Sequence, residues 1–212
     1  MATLPFEWNV VIVGSWNEAI LTPDGIRKRL YQLPEGTPVD VQVALDRPAP
    51  PRVHYDGLTV TPSSSVLIIA VDQCDLQSLK KACALATNAL HSLPETPLTA
   101  AGINFRYRIE ELSDDLLQLI ETAIDGSFSD SGYEIKRRRT NRSLGFQSGE
   151  INIELSQEQT TEGNLLLNFH LDSQALDRLE EWLSQVEEFF AKAQELLAIM
   201  KIQAPEGEQA HV

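Results

Sequence analysis

The residues best suited to chemistry lie in one short run, KRRRTNR at 136–142, which follows a stretch (110–130) carrying seven carboxylates and no Lys or Arg. Guanidinium groups recognise phosphates and carboxylates through forked hydrogen bonds, so Lys136, Arg137, Arg138, Arg139 and Arg142, with Arg106 and Arg108, are candidates for holding an anion or a nucleic acid. The competing account is internal, with the arginines pairing with the carboxylates of 110–130 or of the last helix. Phe105, Tyr107, Tyr133 and Phe146 fall in the same half and could supply stacking.

Other chemistry has less support. His54, His91, His170 and His211 occur singly, without the ligand spacing of a metal site, so no metal or other cofactor is expected. His170-x-Asp172 is the nearest approach to a ligand pair. Gly14-Ser15 lacks the glycines of a nucleophile elbow, and no phosphate-cradling or dinucleotide glycine pattern occurs. Asp72 and Asp172 precede helical patterns and read as helix caps. No catalytic role is assigned to any residue.

Composition narrows the partner class. The 212 residues carry a net charge of -14, of which -3 falls in residues 1–100 and -11 in 101–212. Such a chain does not present a generally cationic surface to nucleic acid or anionic lipid. The longest apolar run, Val66 to Val71, is too short to span a bilayer. Two cysteines and an N-terminus without a signal pattern lead to an expected cytoplasmic location.

The elements that must position these residues alternate. Trp8–Gly14 reads as a buried strand, Ile26–Leu33 as a short helix and Val39–Leu45 as a half-buried strand. Asp56-Gly57 marks a hairpin turn, Val66–Val71 is a strand, and Asp75–Leu93 is a helix with apolar residues three and four apart. The second half repeats the order. Ile103, Phe105, Tyr107 and Ile109 share one strand face opposite Asn104, Arg106 and Arg108. Ser113 caps a helix, and strands follow near Tyr133–Arg139, Leu144–Gln147, Glu150–Leu155 and Leu165–Leu171.

The expected fold is therefore α+β. Two tandem β-α-β(3–4)-α units, 1–98 and 99–202, form a curved antiparallel sheet with helices on one face, followed by a disordered tail at 203–212. The order resembles, in topology alone, the duplicated β-α-β(4)-α saddle of the TATA-binding protein family, which implies this architecture and nothing about function.

The last helix, Ser173 to about Lys201, carries an a/d series from Leu176 to Met200, flanked by Trp182, Phe189 and Leu196. At about 42 Å it would overhang a sheet of a few strands. Trp182, Phe189, Phe190, Leu196, Leu197 and Met200 are thus the candidate interface with a second subunit or another protein. The function expected first is a non-enzymatic adaptor, assembly or regulatory subunit acting through that helix. The alternatives are a nucleic-acid-binding protein using the basic run, and a small-molecule binder or enzyme with its site between the units.

Overall fold

The computed structural model describes residues 3–44, 50–158 and 161–202, so the expected tail at 203–212 lies outside the described residues. Ten strands form one open antiparallel sheet. The strands are β1 (Thr3–Pro5), β2 (Asn9–Gly14), β3 (Asp40–Gln42), β4 (Arg52–Tyr55), β5 (Leu58–Pro62), β6 (Val66–Val71), β7 (Leu98–Ile109), β8 (Arg137–Phe146), β9 (Gly149–Glu158) and β10 (Gly163–Asp172). The helices are α1 (Pro23–Arg29), α2 (Leu76–Ser92), α3 (Asp114–Ile120), α4 (Asp125–Asp130), α5 (Leu176–Ser184) and α6 (Val186–Ile199).

The sheet order is β3-β4-β5-β6-β2-β7-β10-β9-β8, with β1 also paired to β7. Each half closes in the same way: its first long strand pairs with its last, β2 with β6 and β7 with β10, and β2–β7 joins the halves. The expected α+β fold with helices on one face is present.

Local chemistry explains the boundaries. Thr22, Asp75 and Ser113 accept from backbone N–H groups at the starts of α1, α2 and α3, satisfying donors that the helix leaves open. The Asp56-Gly57 turn has positive φ at both residues (50° and 74°), the conformation that a tight hairpin requires, and Tyr55 faces Leu58 across it. Glu7, at φ 50°, separates β1 from β2, so both lie along the same edge of β7. Alternation along β2, β7 and β10 sends Val10, Ile12, Ile103, Phe105, Tyr107, Leu165, Leu167 and Phe169 under the helices, into one core cluster that draws on both halves.

Four expectations change. The last helix is broken at Gln185, whose N–H bonds back to Trp182 O, so α5 and α6 are separate pieces. The strands expected at Tyr133–Arg139 and Leu144–Gln147 are one strand, β8, which starts at Arg137. A short helix, α4, occupies residues where only a helix end was expected. Val41 and Val43, expected to be half-buried, are exposed, and Leu45 lies outside the described residues. No helix among the described residues is long and apolar enough to cross a membrane.

Candidate functional site

The side chains expected to dock a partner from the last helix are mostly inside the molecule. Trp182 (1% exposed), Phe189 (0%), Leu196 (7%) and Leu197 (0%) are buried in the chain's own core, and Phe190 and Met200 are half-buried against it. The reason is the width of the sheet. Ten strands and the break at Gln185 leave no overhang, and Trp182, Phe189, Phe169 and Phe146 form one aromatic cluster, with Phe169 stacked on Phe189 at 5.1 Å. Ile199 is the large apolar side chain of α6 that remains exposed.

The basic candidates divide between the two faces of the sheet. Arg138 points to the helix side, where its Nε donates to Asp125 Oδ2 at 2.8 Å and its Nη2 lies 3.8 Å from Glu121 Oε1. Asp125 is held below the usual carboxylate range, first by the Thr122 hydroxyl and then by Arg138. This pairing with the 110–130 carboxylates ties α4 to β8. Lys136, just outside the strand, pairs with Glu134. Arg142 donates to Thr140 Oγ1 and Asn141 O and has no carboxylate partner among the described residues.

Arg106, Arg108, Arg137 and Arg139 share the opposite, helix-free face. There Arg137 pairs with Glu158, and Arg139 lies 3.6 Å from Glu154; both carboxylates come from β9 and not from 110–130 or the last helix. Arg108 lies over the Phe6 ring, 5.5 Å from its centroid. Arg106, Arg137 and Arg139 line a cleft of about 300 Å³ with Phe6, Glu154, Ser156, Glu158, Asn164 and Leu166.

Beside the cleft runs a row of asparagines across four strands. Asn104 Nδ2 donates to Asn9 Oδ1 at 2.8 Å, Asn168 Nδ2 to Asn104 Oδ1 at 2.9 Å, and Asn152 Nδ2 to Asn168 Oδ1 at 3.3 Å. The residues are directly opposite one another in register. Each occupies the polar position of its strand's alternation, a signal visible in sequence only once the strand order is known.

His170 and His54 also find carboxylate partners. His170 Nε2 is 3.0 Å from Asp172 Oδ1, and His54 Nε2 is 2.9 Å from Asp72 Oδ2. Asp72 and Asp172 therefore serve histidines, while α2 is capped by Asp75 and α5 has no side-chain cap. No group of three or more metal-ligating side chains occurs among the described residues.

The other uncovered feature is an edge. Among the described residues β8 ends the sheet and pairs only with β9 along its ten residues. In the segment that leads into it, Leu119 (50% exposed), Ile124 (55%), Phe128 (45%) and Tyr133 (69%) are open to solvent, with Phe128 and Tyr133 in edge contact, and Leu144 on β8 itself is 41% exposed. The sequence reading offered Tyr133 for stacking but did not group it with Leu119, Ile124, Phe128 and Leu144, because no single periodicity joins residues from two short helices, a loop and a strand. Neither a family model nor a curated protein sequence matches the chain.

Proposed function

We propose that the protein is a non-enzymatic adaptor or assembly subunit that receives an extended, acidic segment of a partner protein along the open edge of β8. The observation that carries this reading is the outer edge of β8, the last strand of the sheet, with exposed apolar side chains concentrated in the chain segment that leads into it. Of nine large hydrophobic residues exposed among the described residues, five (Leu119, Ile124, Phe128, Tyr133 and Leu144) lie in 119–144. A terminal strand with unpaired N–H and C=O groups, preceded in the chain by exposed apolar side chains, suits strand addition, in which the backbone supplies affinity and side chains supply specificity.

Charge selects the partner. β8 carries Arg137, Arg138, Arg139 and Arg142 and no carboxylate. A second copy of β8 would set cations against cations, whereas a segment with carboxylates on its faces would meet them favourably. The association expected from the last helix is thus reassigned to a different surface.

The test uses a ten-residue peptide alternating Glu and Val, with a Lys/Val peptide as control, added to the full chain and read by calorimetry and amide hydrogen exchange. The Glu peptide should bind and protect β8 amides, and Arg142→Glu should weaken binding about tenfold, the equivalent of about 1.4 kcal/mol. Equal binding of the Lys peptide, or protection away from β8, would overturn the reading.

A further inference from the structure

The helix-free face carries a second site, which shares Arg137 and Arg139 with the β8 edge but not Arg106 or Arg142. We infer that the cleft between β7 and β8 binds a small phosphate-bearing molecule, with Arg106 as its principal anchor.

The register builds this cleft. Arg106 on β7 lies in line with Leu166 on β10, Glu154 on β9 and Asn141 on β8, while the adjacent row on the same face runs Arg108, Asn164, Ser156, Arg139. Arg106 thus stands at one wall and Arg137 and Arg139 at the other, separated by three strand spacings, about 14 Å. Asn164 and Ser156 form the polar floor between them. Long side chains leaning in from both walls bring guanidinium donors over an amide and a hydroxyl, a donor set matched to phosphate oxygens.

The charges differ in their commitments. Arg137 and Arg139 are engaged by Glu158 and Glu154, the latter at 3.6 Å, beyond direct hydrogen-bond range. Arg106 is half-buried and has no carboxylate partner among the described residues. Three cations against two carboxylates leave the cleft positive inside a chain of net charge -14.

That contrast decides the size of the ligand. A nucleic acid extends far beyond the cleft and meets the acidic remainder of the surface. A small phosphate group feels mainly the charges within a screening length, about 8 Å at physiological salt. Phe6 adds an apolar wall on which the organic part of such a molecule can rest.

Phenyl phosphate, phenol, inorganic phosphate and a ten-residue oligothymidylate, each titrated into the full chain, test this by calorimetry and by the NMR signals of the arginine side chains. Phenyl phosphate should bind saturably and shift Arg106, Arg137 and Arg139, with inorganic phosphate weaker and phenol silent. Arg106→Gln should cost about tenfold or more in affinity, and Arg106→Lys should restore part of it. Arg142→Glu should leave phenyl phosphate binding unchanged while weakening the acidic peptide, so either proposal can fail without the other. Unmoved arginine signals, or a folded Arg106→Gln variant that binds as well as the parent, would overturn the inference. Oligothymidylate binding tighter than phenyl phosphate would replace it with a nucleic-acid site.

Discussion

The two ends of the sheet are reached by the same route and finished differently. β2 leads through α1 to β3–β6, and β6 returns to pair with β2; β7 leads through α3 and α4 to β8–β10, and β10 returns to pair with β7. The first half stops on β3, three residues long, and packs aliphatic side chains such as Val10, Ile12, Leu67, Ile69 and Leu79 under one 17-residue helix. The second stops on β8, ten residues long, and packs Phe105, Phe169, Trp182 and Phe189 under a helix broken at Gln185. A short edge offers little template for another chain, and a long one must be guarded. β8 carries arginines on both faces, which set cations against cations if two copies pair, and the proposed association rests on that difference between the halves.

The largest expected effect tests whether the aromatic helix belongs to this core or to an interface. Phe189 is fully buried, stacked on Phe169 and 4.6 Å from Trp182 between ring centroids. Phe189→Ala should destabilise the protein by about 3–5 kcal/mol in urea titrations. The same change at half-buried Phe190 should cost clearly less. A Phe189→Ala protein of nearly native stability but altered oligomeric size would mean that the helix serves a partner after all.

Much of this arrangement was legible in the chain, for physical reasons specific to each element. Alternation put Arg106 and Arg108 opposite Phe105 and Tyr107, and that is where they lie, because a half-covered strand fixes the face of every residue. Asp56-Gly57 turned as its chemistry demands. The destination of Trp182 and Phe189 was not legible, because a heptad stripe reports that a face must be covered and not which surface covers it. The break at Gln185 has no glycine or proline to announce it. The cleft was hidden for a third reason: Arg106, Ser156, Asn164 and Arg139 meet only through the pairing of β7, β10, β9 and β8, and strand order is not written in local sequence.

The asparagine row crosses the seam between the halves, so it measures how firmly they are joined. Asn104 donates to Asn9 in the first half and accepts from Asn168 in the second. Asn104→Ala should cost about 1–2 kcal/mol by denaturant unfolding, since two partners lose a hydrogen bond at a half-buried position. Asn152→Ala, which breaks the row's longest bond (3.3 Å) and a contact to Glu150 on its own strand but leaves the seam intact, should cost less. Equal losses at both would show that the row does not couple the halves.

The smallest expected effect separates the two edges by pH. The first-half edge is pinned by a histidine: His54 on β4 lies 2.9 Å from Asp72, the residue after β6 two strands away, and 3.6 Å from Asp40 on β3. The hydrogen bond to Asp72 raises its pKa above the ordinary 6.5, with Asp40 adding to the same direction and burial opposing it. A raised histidine stabilises the folded state fully below its unfolded pKa, and that contribution is lost as pH rises through the folded value. The second-half edge is pinned by Arg137, Arg138 and Arg139, whose ion pairs with Glu158, Asp125 and Glu154 involve no histidine. NMR titration of His54 should therefore give a pKa above 6.5 that falls in Asp72→Asn. Amide exchange in β3 should quicken between pH 6 and 8, beyond the ordinary base-catalysed trend, with no matching change in β8. Loosening of both edges together would locate the pH response in the shared core and remove the distinction between them.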